Sequence, residues 1–246
     1  MKLNYKRTIL VGFAFFLICA FWQAYDTIVP LILTNKFGMD QTASGIIMAL
    51  DNIVAVFALP FFGNLSDKTR TRYGKRTPYI FFGTIVAALA LSALGFAGTL
   101  PLFIAFLLLA LISMATFRSP AVALMPDVTV KPLRSRGNAV INLMGTAGGI
   151  VILVLAMIFG TGAEGKTDFR AYLVSVSVVM LLALLVFLFT VREPAWSAEA
   201  EKAAATMADE EREERRASGG KLSRGQMASL LLILASVALW YIGYNS

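Results

Sequence analysis

The sequence predicts an all-α membrane protein, and three observations carry that prediction. Of its 246 residues, 58% are hydrophobic and only 15% charged, where a soluble domain has about 45–50% and about 25%. The mean hydropathy is +0.73. The apolar residues also gather into continuous blocks of about 20, long enough to cross a bilayer as helices, rather than into the ten-residue alternations of an outer-membrane barrel (about ten residues per strand).

The blocks run in order as Thr8–Leu33, Thr42–Phe62, Pro78–Ala97, Leu100–Leu124, Asn138–Gly160, Ala171–Val191 and Met227–Tyr244. The first follows Lys2, Lys6 and Arg7 as a signal peptide would, but its apolar stretch is too long for one, so it reads as an uncleaved span. Residues 1–191 therefore form a bundle of six membrane helices. Residues 192–226 form a linker, and residues 227–246 a seventh span at the chain's end. Within the linker, Ser197–Arg216 holds seven acids and four bases among Ala and Met, the composition of a solvated helix. A regulatory docking role for it is the alternative.

Orientation follows from the basic residues. With Arg118 set aside inside a span, eighteen Lys and Arg lie at the N-terminus and in the even-numbered connections, and three (Lys36, Lys166 and Arg170) lie opposite. The N-terminus and the linker are expected in the cytoplasm, and the chain as a multi-pass protein of the cell (inner) membrane. Asn64-Leu65-Ser66 matches a glycosylation acceptor but falls on the cytoplasmic side, so it is set aside.

Composition excludes several functions. There is no histidine, and the one cysteine, Cys19, sits in an apolar run. A disulfide scaffold and a Cys/His metal cluster are thus excluded, and the commonest general base is missing. No enzyme, metal or cofactor is expected. The net charge of +7 is spread between apolar blocks rather than over a folded face, so the expected partner is the lipid bilayer and not nucleic acid. No Gly-x-x-x-x-Gly-Lys-Ser/Thr loop is present, so ATP is not the driving force.

Six spans, a long linker and a further span are the plan of a transporter built from two six-helix halves. On that plan the chain is expected to be a fragment that ends one helix into the second half, and the missing half is a partner. The loop after the second span reads Gly63-Asn64-Leu65-Ser66-Asp67-Lys68, then Arg72-Tyr73-Gly74-Lys75-Arg76-Thr77-Pro78-Tyr79-Ile80. Gly63 and Gly74 permit tight turns at the membrane border, and Pro78 suits the first turn of a helix. Positive-inside anchoring alone would explain the charges but not their ordered spacing.

That spacing, Gly63-x-Leu65-x-Asp67 followed by Gly74-Lys75-Arg76, resembles the loop signature of the major facilitator superfamily. Arg72-x-Gly74-Lys75-Arg76-x-Pro78-Tyr79-Ile80 resembles its narrower form in sucrose-type and glycoside–cation symporters, with Lys75 and Thr77 departing from the all-arginine plant form. Arg118-Ser119-Pro120-Ala121-Val122-Ala123-Leu124-Met125-Pro126-Asp127 and Arg134-Ser135-Arg136-Gly137-Asn138-Ala139 are similar to the fourth and fifth helices of that group's bacterial members. The resemblance implies the six-helix N-terminal half of a major facilitator fold plus the first helix of its second half. It further implies secondary transport of a small sugar or glycoside with H⁺ or Na⁺, by alternating access. In it, Gly63, Asp67, Gly74, Lys75 and Arg76 form a conformational latch between the halves.

Charges inside the membrane cost about 2.5–3.5 kcal/mol at a helix centre, so each is a functional candidate. Asp51 lies near the midplane of the second span. Asp26 lies in the outer half of the first, on one face with Gln23 and Pro30 and four residues after Trp22. Asp51 and Asp26 are the candidate coupling acids, and Trp22, Gln23, Asp26, Arg118 and Asn142 the candidate substrate contacts. Each has a plainer alternative: Asp51 as a structural acid bonded to Asn52 or Asn142, Asp26 snorkelling outward, Arg118 snorkelling inward. Counting rise per residue leaves Arg118 over ~15 Å from Asp51. Asp127 is expected to pair with Arg134 or Arg136, and Gly145-x-x-x-Gly149 to let a neighbouring backbone approach. Trp240, Tyr241, Tyr244 and Asn245 are either sugar-facing or an interfacial belt. An exporter of the same fold, or a non-transporting half-length protein acting as a dimer, are the alternative functions.

Overall fold

The computed structural model describes residues 3–159, 169–217, 225, 227–229 and 231–236, and every element among them is helical. Six stretches have the length and apolarity to cross a membrane: Tyr5–Lys36, Gln41–Lys68, Thr77–Phe96, Leu100–Val128, Lys131–Ile158 and Phe169–Thr190. These are the six full spans expected. Their elements are α1 (Tyr5–Leu31), α2 (Gln41–Met48), α3 (Leu50–Lys68), α4 (Thr77–Phe96), α5 (Leu100–Val128), α6 (Arg134–Ile158) and α7 (Phe169–Thr190), followed by α8 (Glu193–Ala217).

Local chemistry sets the helix ends. The Asn4 side chain accepts from the Arg7 backbone N–H at 3.2 Å and starts α1, as a polar N-cap does. Near its far end Pro30 has no N–H to donate, and the chain widens into a π-helical turn over Ile32–Lys36. The Thr34 hydroxyl donates to the Pro30 carbonyl at 2.9 Å.

The second span runs from Gln41 to Lys68 as expected, but its regular ladder is interrupted for one tight turn at Ala49, whose backbone stays helical (φ −64°, ψ −9°). The Asn52 N–H bonds Ala49 O at 3.2 Å and Asp51 Oδ1 at 2.6 Å. A short acid here competes with the helix ladder for a backbone donor. The Met48 carbonyl, four residues before Asn52, instead accepts from Tyr25 Oη of α1 at 2.9 Å. An interrupted helix at membrane depth is tolerated when side chains restore its backbone bonds in this way.

Inside the first compact unit, Met1–Glu201, α1 packs chiefly on α6 and α7, α4 on α5 and α7, and α3 on α5. The core comprises large side chains such as Phe21, Tyr25 and Ile28 of α1, Phe103 and Phe117 of α5, and Tyr172 and Phe187 of α7. In lipid such packing, rather than water release, holds helices together. Close approach of α1 and α6 uses Gly145 and Gly148. A Cβ at Gly148 would stand 2.6 Å from Phe16 O, and one at Gly145 2.8 Å from Cys19 Sγ. Gly149, expected in that role, has only Gln23 Oε1 at 3.7 Å, so the small-residue contact lies one position earlier than the Gly-x-x-x-Gly spacing suggests. Outward positions such as Phe82 at 65% and Phe189 at 84% exposure present the apolar surface that a bilayer covers.

The first turns of α8 belong to this unit. Trp196 and Glu193 are buried, and the Arg7 guanidinium lies 5.3 Å from the Trp196 ring centroid while pairing with Glu199. The second unit, Lys202–Ser246, holds the rest of α8 and a short apolar helix, Met227–Ser236. The remainder of the expected seventh span, with Trp240, Tyr241, Tyr244 and Asn245, lies outside the described residues.

Candidate functional site

Three spans meet around one small cavity at mid-bundle. Trp22 of α1, Asp51 of α3 and Arg118 of α5 all line it, against Val54, Leu111 and Met114. Its volume is about 10 Å³, which is close to the roughly 10–15 Å³ that one water-sized occupant needs. The first and fourth spans thus face a common cavity, as the fold reading requires.

The Trp22 ring anchors this arrangement. It stands edge-on to Phe21 and Tyr25, with centroids 5.8 and 5.4 Å away, so its orientation is fixed by packing. Arg118 places its guanidinium 5.3 Å from the Trp22 ring centroid, a cation–π geometry. The arginine therefore turns into the bundle instead of snorkelling to the surface, and its long stem closes much of the backbone separation from Asp51. The Trp22 Nε1 atom is buried and has no hydrogen-bond partner among the described residues.

Asp51 takes two hydrogen bonds on Oδ1, from the Asn52 backbone N–H and from Asn52 Nδ2 at 2.8 Å. Of the two expected structural partners, Asn52 is the one that bonds it. Among the described residues no Lys or Arg forms an ion pair with Asp51. Asp26 is exposed and lies within Coulomb range of Asp51.

Two expected substrate contacts fall elsewhere. Gln23 does not line the cavity; its amide donates to Thr27 Oγ1 at 3.3 Å, and its oxygen lies beside Gly149 of α6. One residue along a helix turns about 100°, so Gln23 and Trp22 look toward different neighbours. Asn142 is exposed on α6, and its backbone carbonyl takes the Thr146 hydroxyl at 3.0 Å.

The second site is the loop between α3 and α4. Arg76 is 4% exposed and binds three groups: Ser66 Oγ, the Asp67 carboxylate, and Asp127 Oδ2 at 2.9 Å. Lys75 joins Asp127 at 3.2 Å. This corrects the expected pairing of Asp127 with Arg134 or Arg136. Arg134 instead donates to the carbonyls of Thr129 and Pro126 at 3.1 and 2.8 Å, where it satisfies the orphan acceptors at the end of α5. Gly63 lets α3 approach α5, since a Cβ there would meet Ser119 Oγ at 2.7 Å.

Sequence reasoning missed Glu193, the residue that ties this loop to α8. It is 2% exposed and accepts from the backbone N–H groups of Lys75, Arg76 and Thr77 at 2.8, 2.9 and 2.8 Å, and from the Thr77 hydroxyl at 2.8 Å. The carboxylate thus fills the N-terminus of α4, where orphan donors and the helix dipole favour negative charge. Gly74 is obligatory beside it. Its φ is +111°, and a Cβ there would collide with the Glu193 carboxylate. The available signal was an acid followed by Pro194 directly after an apolar span.

The chain resembles known transport proteins over parts of their length. It is 28% identical over 160 residues to the sucrose transport protein SUC3 of Arabidopsis thaliana, covering 56% of this chain and 25% of that protein. It is 26% identical over 178 residues to the isoprimeverose transporter of Lactiplantibacillus pentosus, covering 66% of this chain and 36% of that one. It is also 31% identical over 68 residues to the putative glycoside/cation symporter YagG of Escherichia coli K12, covering 27% of this chain and 15% of that protein. The chain thus spans about a third or less of the length of these relatives. The family model of the Major Facilitator Superfamily matches residues 11–246. With its helical membrane bundle and the Gly63–Arg76 loop, the chain is a member of the Major Facilitator Superfamily.

Proposed function

We propose that the protein is a secondary transporter that moves a small sugar or glycoside together with H⁺ or Na⁺ by alternating access, in the cell inner membrane with its N-terminus in the cytoplasm. The observation that carries this reading is the mid-bundle cavity, which joins an indole, an arginine and an acid that has no counter-cation among the described residues, drawn from three different spans. A carboxylate at this depth with no cation beside it offers a binding place to one that arrives with the substrate. Trp22 supplies the flat apolar face and Arg118 the donors that a sugar ring uses. Asp26 extends the polar surface outward, with Gln23 and Asn142 as outlying contacts.

In this reading residues 1–191 are one helical half, 192–226 the linker and 227–246 the start of the second half, which supplies the opposite wall of the cavity. Gly63, Asp67, Gly74, Lys75 and Arg76 are the latch. The relatives' names as sucrose, isoprimeverose and glycoside transporters support a sugar over an exported drug or metabolite. The test is uptake of a labelled disaccharide into vesicles carrying the intact protein, with and without an imposed proton or sodium gradient. Accumulation above equilibrium under one of the gradients is expected. Uptake that ignores both gradients, or no uptake of any disaccharide, contradicts the proposal.

A further inference from the structure

At the end of the bundle that carries most of its Lys and Arg, a crevice of about 690 Å³ opens between the start of α4 and the end of α7. Its walls are apolar: Pro78, Phe81 and Phe82 on one side, Leu188 and Val191 on the other. Its rim carries Arg72 and Arg192. The apolar stretches of α4 and α7 stop at Thr77 and Thr190, so both arginines stand just beyond the hydrocarbon level while the phenylalanines lie within it.

Neither arginine is neutralised. Arg72 lies 4.6 Å from the Tyr73 ring centroid and donates to the Tyr73 hydroxyl, a neutral partner. Among the described residues no carboxylate pairs with Arg72 or with Arg192. The acids nearest in sequence are engaged elsewhere, Glu193 with the α4 amides and Asp67 with Arg76. The crevice therefore combines two uncompensated cations at headgroup depth with an aromatic and aliphatic groove below them. A free sugar or phosphate would use the rim and leave the groove empty, and both hydroxyls of the lining are already engaged, Thr77 Oγ1 with Glu193 at 2.8 Å and Tyr73 Oη with Arg72.

We propose that this crevice seats one anionic phospholipid, its phosphate between Arg72 and Arg192 and an acyl chain along Phe81, Phe82 and Leu188. The site is separate from the mid-bundle cavity and stands whether or not the protein carries sugar. A lipid there braces the start of α4 against the end of α7, next to the turn held by Glu193.

The test is native mass spectrometry of the intact detergent-solubilised protein titrated with dioleoylphosphatidylglycerol, reading the affinity for the first lipid bound. A basic residue near an anionic lipid surface contributes ~1 kcal/mol, about fivefold in affinity. Arg72→Gln with Arg192→Gln is therefore expected to weaken the first binding step by at least tenfold. Lys131→Gln with Arg136→Gln removes equal charge at the same end but off the crevice, and is expected to leave that step within about twofold. Dioleoylphosphatidylcholine should show no dependence on the two arginines, and inorganic phosphate should not displace the bound lipid. If the arginine pair fails to fold, Arg192→Gln alone, at an exposed position, should weaken binding about fivefold. Equal weakening by both pairs, an unchanged affinity in the arginine variants, or displacement by phosphate overturns the proposal.

Discussion

At the basic end of the bundle, Arg76 is buried and surrounded by Ser66, Asp67 and Asp127, and the neighbouring Glu193 caps three backbone amides. At mid-bundle, Asp51 takes hydrogen bonds only from Asn52 among the described residues, and Arg118 faces a ring rather than an acid. Both regions carry charge, yet among the described residues only the first is closed by partners of opposite sign. A closed network resists change and fixes the geometry of α3, α4, α5 and α8. An open one leaves an acid whose remaining valence is available to something that comes and goes. The comparison separates charges that are met within the bundle from charges that are left unmet there, and each of the variants below tests one side of it.

The largest expected effect is on the closed side. Arg76→Gln leaves Asp127 with only Lys75 and strips Asp67 of its partner. Hydrogen bonds to charged groups contribute about 1.5–3 kcal/mol each, and Arg76 makes three of them, so the thermal midpoint in detergent should fall sharply, or the protein should fail to accumulate in the membrane. A variant as stable as wild type would show that the network is dispensable.

Glu193→Ala comes next. It leaves the N–H groups of Lys75, Arg76 and Thr77 without their acceptor, and an unsatisfied buried donor costs about 1–3 kcal/mol. The loss should show as a lower midpoint and as faster amide exchange at the start of α4. Glu193→Gln keeps an acceptor oxygen and should lose less. If alanine and glutamine are equally harmful, the charge at the helix N-terminus matters more than the hydrogen bonds do.

The smallest stability effect is expected where the two regions' logic meets, at the interrupted helix. Tyr25→Phe removes the donor to the Met48 carbonyl, a loss of about 1 kcal/mol. Its sharper consequence should be on transport, because that bond fixes the tight turn just before Asp51. A fall in uptake rate larger than the change in thermal midpoint would confirm that the bond positions the acid.

Much of this was legible in the sequence, for physical reasons. Membrane helices must be long and apolar, so the six spans stood out, and intramembrane charge is costly, so Asp51 and Arg118 stood out with them. Glu193 was hidden because its partners lie about 116–118 residues away and because it begins a charged segment that reads as solvated. The interruption at Ala49 was hidden because it has neither proline nor glycine to mark it. It coincides with a carboxylate and a carbonyl three residues back sharing one backbone N–H. Asp127 was assigned the nearest cations in sequence, whereas the fold gives it Arg76 and Lys75 from another helix end.

The most direct test of the central claim, that the acid left unpaired at mid-bundle couples transport, is made on Asp51→Asn in the intact protein. Gradient-driven accumulation and tracer exchange of the same sugar are measured in one preparation of proteoliposomes. Asparagine keeps the shape and an acceptor oxygen but carries no titratable charge. The expected result is loss of accumulation with exchange and thermal midpoint preserved. Accumulation against a gradient at the wild-type level would contradict the account, and would pass the coupling role to Asp26.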